Sequence, residues 1–137
     1  MGATQLSYDD TAVGDAGPAI SHTLTRTDLV MYAGASGDFN PMHHDEIAAQ
    51  ASGLPSVFGH GMFTAGLLAT ALTNYVGVNN LASYRVRFTK QTWPGEVLTT
   101  SVVVREKRAN NELVLDCSVT NENGEAKIQG EAVARAQ

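Results

Sequence analysis

His60-Gly61-Met62-Phe63-Thr64-Ala65-Gly66-Leu67-Leu68-Ala69-Thr70-Ala71-Leu72-Thr73-Asn74-Tyr75-Val76-Gly77 is the stretch from which the fold can be read. Met62, Leu67, Leu68, Ala71, Leu72 and Tyr75 supply the large apolar groups, while Ala65, Gly66 and Ala69 leave room for close packing. A helix over Met62 to Val76, ended by Gly77, is apolar almost all round and is therefore expected to be buried.

Downstream of this helix the hydrophobic period changes from about 3.6 to 2. Leu81 to Thr89 alternates through Tyr84, Val86 and Phe88, with Arg85 and Arg87 on the other face. Val97 to Lys107, Glu112 to Asn121 and Ala126 to Ala134 read as three more strands. Asn110-Asn111 and Asn123-Gly124 mark hairpin turns, and Trp93-Pro94-Gly95 marks a further turn. One buried helix covered by an antiparallel sheet that curls around it is a two-layer α+β domain.

Upstream, Met1 to Ala19 is polar, with Tyr8, Val13 and Ile20 as its few anchors. Ser21 to Thr25 alternates as a short strand. Thr25 or Thr27 can cap a helix at Asp28 that runs about two turns to Gly37. Pro41 biases Asn40 away from helical geometry, so Asp38 to Met42 is loop. Asp45 to Ala51 reads as another short helix, closed by Gly53 and Pro55.

A chain of 137 residues with 43% hydrophobic and 17% charged residues is expected to form one domain, residues 1–137, with no need of disulfides or metal. The single cysteine, Cys117, lies in an alternating apolar stretch and reads as a small buried hydrophobe. A net charge of −5 argues against nucleic acid as a partner. The absence of a basic segment followed by an apolar core, and of a bilayer-length apolar run, gives a cytoplasmic expectation with no membrane contact.

The chemistry-bearing run is Gly37-Asp38-Phe39-Asn40-Pro41-Met42-His43-His44-Asp45, with His60-Gly61 following 17 residues after His43. A carboxylate and an imidazole five residues apart across an Asn-Pro turn, plus a glycine at a helix start, are parts for activating a water and binding a carbonyl oxygen. Taken singly, Asp38 also reads as an Asx-turn residue and His43 as a loop histidine. His44 reads as a surface residue, Asp45 as a helix cap and His22 as an unrelated strand residue. A zinc site on His43, His44 and His60 is set aside, because no ligand pair has helical spacing.

The stretch from Tyr32-Ala33-Gly34 through Asp38-Phe39-Asn40-Pro41-Met42-His43, together with His60-Gly61-Met62, resembles the MaoC-like (R)-specific enoyl-thioester hydratases and dehydratases. The resemblance continues through Tyr84-Arg85-Val86-Arg87-Phe88 and Pro94-Gly95-Glu96, covering about Leu24 to Ala134. Within the family, Leu24-Thr25-Arg26 and Tyr32-Ala33-Gly34 are most similar to the catalytic subunit of mycobacterial (3R)-hydroxyacyl-acyl-carrier-protein dehydratases. The resemblance implies a hot-dog fold: a long central helix wrapped by a curved antiparallel sheet.

It further implies reversible syn hydration of trans-2-enoyl thioesters of coenzyme A or acyl carrier protein to (R)-3-hydroxyacyl thioesters, with no cofactor and no metal. Asp38 and His43 would be the acid/base pair sharing one water. The Gly61 N–H, free at a helix N-terminus, would meet the oxyanion. Asn40 could hydrogen-bond to orient a catalytic group, and His60, by its position before the helix, reads as a structural support for the loop. Arg85, Arg87 and Lys90 are candidates for the carrier's phosphate, and Val57, Phe58, Met62 and Phe63 for the acyl pocket. Some members carry a serine further along the central helix, where this chain has Ala69. A homodimer is expected, with a heterodimer containing a non-catalytic subunit as the alternative. Two rival functions are a hot-dog thioesterase, whose carboxylate on the central helix is lacking between Met62 and Ala71, and a non-catalytic partner subunit, which would lack the Asp/His pair.

Overall fold

The computed structural model describes residues 6–137. Strand β1 is Ser21–Thr23. Helix α1, Arg26–Ser36, begins where the Thr25 hydroxyl accepts the Asp28 N–H and the Asp28 carboxylate accepts the Thr25 N–H. This reciprocal cap satisfies two otherwise free donors. Because Thr25 is the cap, α1 extends to 11 residues, a turn longer than the two turns expected. A 3₁₀ turn, Pro41–His43, interrupts the segment expected as plain loop. Helix α2, Glu46–Ala51, starts on the Asp45 carboxylate, which accepts the Ala48 N–H.

Helix α3, Gly61–Val76, ends at Gly77 as expected. Four strands follow: β2 Leu81–Phe88, β3 Val97–Arg108, β4 Glu112–Thr120 and β5 Ala126–Arg135. Asn110 and Asn111 both adopt positive φ, at 63° and 58°, giving the hairpin turn that suits strand twist. The five strands form one antiparallel sheet in the order β1-β3-β4-β5-β2. The last strand thus lies between β4 and β2, and the two strands flanking the helical segment occupy opposite edges.

Alternation places Leu98, Val102 and Val104 of β3 in the core with Leu113, Leu115, Cys117 and Val119 of β4 and with Ile128, Ala132 and Ala134 of β5. Leu68, Ala71, Leu72 and Val76 of α3 pack against them. Each fully buried Leu or Ile contributes roughly 1.5–3 kcal/mol. Cys117 is buried as expected, and burial pushes its thiol up to about 11. The Tyr84 hydroxyl donates to the Ala65 carbonyl at 2.7 Å, pinning β2 to the first half of α3.

Two features depart from expectation. Helix α3 is not buried all round: Met62, Gly66, Thr70 and Asn74, spaced by four, form an exposed row. A single sheet covers one face of a helix, and nothing else among the described residues covers this row. Val13, read as an anchor, is 61% exposed, whereas Tyr8 and Ile20 do pack on the core. Among the described residues no helix is long and apolar enough to cross a membrane.

Candidate active site

The loop after α1 is built from successive short-range hydrogen bonds. Gly37, at φ 77°, turns the chain out of the helix. The Ser36 hydroxyl accepts the Asp38 N–H at 3.1 Å, and Asp38 Oδ1 accepts the Asn40 N–H at 3.2 Å. Asn40 Oδ1 then accepts the Met42 N–H at 3.1 Å, capping the 3₁₀ turn that carries His43. Asp38 is therefore an Asx-turn residue and more: one oxygen holds the turn, while Oδ2 faces His43 Nε2 at 3.8 Å. Asn40 acts on the backbone beneath His43, through the Met42 N–H.

His43 Nδ1 lies 2.6 Å from the Phe58 carbonyl oxygen. A carbonyl only accepts, so Nδ1 carries the hydrogen and Nε2 presents a lone pair toward Asp38. At 3.8 Å the carboxylate and imidazole are too far apart for a direct hydrogen bond. They are well spaced to share one water. Asp38 is about half exposed and His43 nearly buried, so the pair opens toward the surface on the carboxylate side.

Against the other face of His43 lies His60, with ring centroids 3.9 Å apart and planes at 26°. His60 Nε2 sits 3.1 Å from the Asp38 carbonyl oxygen, so it donates there and Nδ1 is bare. One histidine thus braces both members of the pair: it stacks on His43 and holds the Asp38 backbone. Burial lowers the His60 pKa below its usual value, with nearby His43 adding to the effect and the Asp38 carbonyl opposing it. Phe58 meets His43 edge-on at 4.9 Å, and Tyr32 of α1 lies 4.9 Å from His60.

Atoms of Asp38, His43 and His60 that could ligate a metal lie within 4.8 Å of one another. The donor set differs from the histidine trio considered from sequence, since His44 turns away to the Phe39 carbonyl. A metal bound to imidazole lies near the ring plane. Two stacked rings 26° from parallel do not aim in-plane lone pairs at one nearby point, and Nδ1 of His43 and Nε2 of His60 are already donating. The arrangement suits water better than a cation.

Gly61 is the first residue of α3, with His60 as its N-cap offering no side-chain hydrogen bond to the helix. The first N–H groups of the helix are therefore free of a side-chain cap, in a region of positive potential. A Cβ on Gly61 would come within 2.9–3.4 Å of the Phe88 ring, so glycine is what lets β2 close over the helix start. Gly61 opens on a cavity of about 290 Å³, lined also by Phe58, Thr64, Phe88, Thr92 and Lys127. Its far wall is fixed by Lys127, whose buried ammonium donates to Glu125 at 2.7 Å and to the Gln91 carbonyl at 2.9 Å, and pairs with Glu96 at 2.9 Å. The Gly59 N–H donates to the Thr92 carbonyl at 2.8 Å, tying this wall to the turn before α3.

The structure brings Asp38, His43 and His60 together, with Asn40 beneath; Gly61 adjoins His60 in the chain and opens on a cavity whose lining includes neither Asp38 nor His43. The other predicted residues scatter. Phe58 lines the cavity, whereas Val57 is sealed in the core and Met62 is 61% exposed. Phe63 packs against Tyr32 at 5.6 Å and against His22 at 5.7 Å. Lys90 stands at the cavity, paired with Glu125 at 3.2 Å. Arg85 and Arg87 lie away from it, in a groove on the sheet shared with Arg105 and Glu131, Arg85 being 3.6 Å from Glu131. Sequence reasoning missed Thr64, Phe88 and Lys127. A lysine near the start of an alternating strand carries no local sign of its burial. Glu125, two residues away, is a common neighbour for an exposed lysine, and only the fold adds Glu96 from another turn.

Residues 11–125 match the family model described as a MaoC like domain. The chain is 39% identical over 82 residues to 3-hydroxyacyl-thioester dehydratase Y of Mycobacterium tuberculosis, a match covering 57% of this chain and 28% of that protein. The chain thus spans well under half the length of this relative. It is 27% identical over 116 residues to the (R)-specific enoyl-CoA hydratase of Rhodospirillum rubrum, covering 83% of this chain and 81% of that one. In structure it superposes on the unliganded R-hydratase PhaJ1 of Pseudomonas aeruginosa with a TM-score of 0.87 and 25% identity, covering 100% of this chain and 90% of that one.

Proposed function

Because the chain belongs to the MaoC-like domain family and has its hot-dog fold, we propose that it catalyses the reversible syn hydration of trans-2-enoyl thioesters to (R)-3-hydroxyacyl thioesters. The observation that carries this reading is the 3.8 Å gap between two acceptors, Asp38 Oδ2 and His43 Nε2. A water in that gap donates one hydrogen to each and is left with its oxygen lone pairs facing outward, toward C3 of a bound enoyl group. As oxygen bonds to C3, one member of the pair takes a proton, and the π electrons move onto the thioester oxygen. The Gly61 N–H stabilises that oxyanion. The same proton then passes to C2 from the face the water attacked, which makes the addition syn and returns the pair to its starting state. Dehydration runs the same steps backward.

Substrates of this reading are acyl thioesters of coenzyme A or acyl carrier protein, and Lys90, which lines the cavity beside Glu125, is the candidate for a phosphate contact. We place the working form as a dimer, with a second copy as the default partner and a non-catalytic subunit of the same fold as the alternative. The test mixes purified protein with crotonyl-CoA and follows loss of the enoyl absorbance. Asp38→Asn and His43→Gln are each expected to lower kcat by about 10²–10⁴-fold. Folded variants with wild-type rates would sink the assignment. Release of free thiol without loss of the enoyl group would instead mean thioester hydrolysis.

A further inference from the structure

Helix α3 contains three threonines, and two have ordinary helix hydrogen bonds: Thr70 donates to the Gly66 carbonyl at 3.0 Å, and Thr73 to the Thr70 carbonyl at 3.3 Å. Thr64 does neither. Only 2% exposed, its hydroxyl has no partner among the described residues. The other buried side-chain polar atom so placed is His60 Nδ1. The two orphans belong to the N-cap residue of α3 and to a residue of its first turn, four positions on. They are also complementary. Since His60 Nε2–H donates to the Asp38 carbonyl, Nδ1 needs a donor, and a hydroxyl can begin a chain that supplies one. Thr64 is also among the residues around the cavity beside Gly61, though its hydroxyl oxygen is turned away from solvent.

We propose that Thr64 is a positioning residue: its hydroxyl holds one buried water that donates to His60 Nδ1 and so locks His60 as the Nε2–H tautomer. A histidine free to exchange tautomers would lose its bond to the Asp38 carbonyl whenever it took the other form. Locked, it keeps the Asp38 backbone in place and its own ring flat on His43. Thr64 thereby acts on the water-binding pair through His60, without touching substrate. The catalytic part of this inference rests on the hydration reading; the tautomer part does not.

The experiment uses ¹⁵N-histidine NMR and steady-state kinetics with crotonyl-CoA on wild type, Thr64→Val and Thr64→Ser. In wild type the His60 signals are expected to show a bare Nδ1 and a protonated Nε2. Thr64→Val, which keeps the shape and removes the hydroxyl, is expected to give a tautomer mixture and about tenfold lower kcat at unchanged KM, the size expected from one lost hydrogen bond. Thr64→Ser restores both. A protonated Nδ1 in wild type overturns the proposal even if the valine variant fails to fold. So does a valine variant with wild-type spectrum and kcat, or one in which KM alone rises, since that would put Thr64 against substrate. Wild type inactive on enoyl thioesters but with the expected spectra would remove the hydration reading and leave the tautomer lock standing.

Discussion

His60 carries a pH dependence that can be worked out in sign. Its side chain is 2% exposed and stacked on another imidazole, and burial lowers its pKa in the folded chain. In the unfolded chain it titrates near the ordinary value of about 6.5. Below that pH the unfolded state binds more protons than the folded one, so stability rises with pH there and is lost as pH falls from about 6.5 toward the folded value. Asp28, whose carboxyl is lowered by its bonds to Thr25 and His22 although burial opposes them, loses its contribution only under more acidic conditions, as pH falls through and below the usual aspartate range. The melting temperature of wild type is therefore expected to drop between about pH 7 and about pH 5.5, while His60→Gln melts lower at about pH 7 but with a flatter slope across that window. Equal slopes in the two proteins would show that His60 is not the titrating group. That Asp38 faces His43 and that Gly61 opens α3 was legible in the sequence because a turn and a helix end are local features and the motif resemblance pairs them. Thr64 was not, since an unpaired hydroxyl is defined by what surrounds it, which only the folded chain supplies.

At the level of elements, β5 depends on one missing side chain. Gly130 pairs with Val86 of β2 on one side and Cys117 of β4 on the other. A Cβ there would press on the Arg85 carbonyl oxygen and meet Val86 Cγ1 at 2.8 Å. Backbone cannot yield as a flexible side chain can, so Gly130→Ala is expected to cost about 1–3 kcal/mol, as overpacking does. The measurement is a lower urea midpoint at unchanged slope. Because β2 also carries Phe88 over Gly61, the same variant should loosen the cavity wall. Strands β2, β3, β4 and β5 were readable almost to their last residues from alternation, and the end of α3 from Gly77, whereas α1 was read a turn short because Thr25 and Thr27 both offered a cap. The order of the strands was not. Pairing β2 with β5 and β1 with β3 is a long-range choice that no local period encodes. The same holds for Lys127, whose burial depends on Glu96 arriving from a separate turn to join Glu125.

For the molecule as a whole, the unfinished feature is the outer side of α3. Its exposed row of Met62, Gly66, Thr70 and Asn74 begins next to Gly61, and large apolar side chains elsewhere are exposed too, including Phe39 at 64%, Val30 at 63% and Met31 at 67%. Asp38, half exposed, would hold its water at an open surface. Oxyanion stabilisation by a single N–H is worth most where water is excluded. A second hot-dog subunit laid against this side would cover the helix and close the site, and a two-fold arrangement does so for both copies at once. Light scattering on the purified chain is expected to give twice the 14.5 kDa of one copy. Met62→Glu places a charge in the covered row, and should shift the mass to that of one copy and lower kcat while leaving the fold intact by circular dichroism. A wild type that is monomeric and fully active would refute closure by a partner. A monomer that is inactive alone, and regains activity only with a second type of hot-dog subunit, would identify the partner as that subunit.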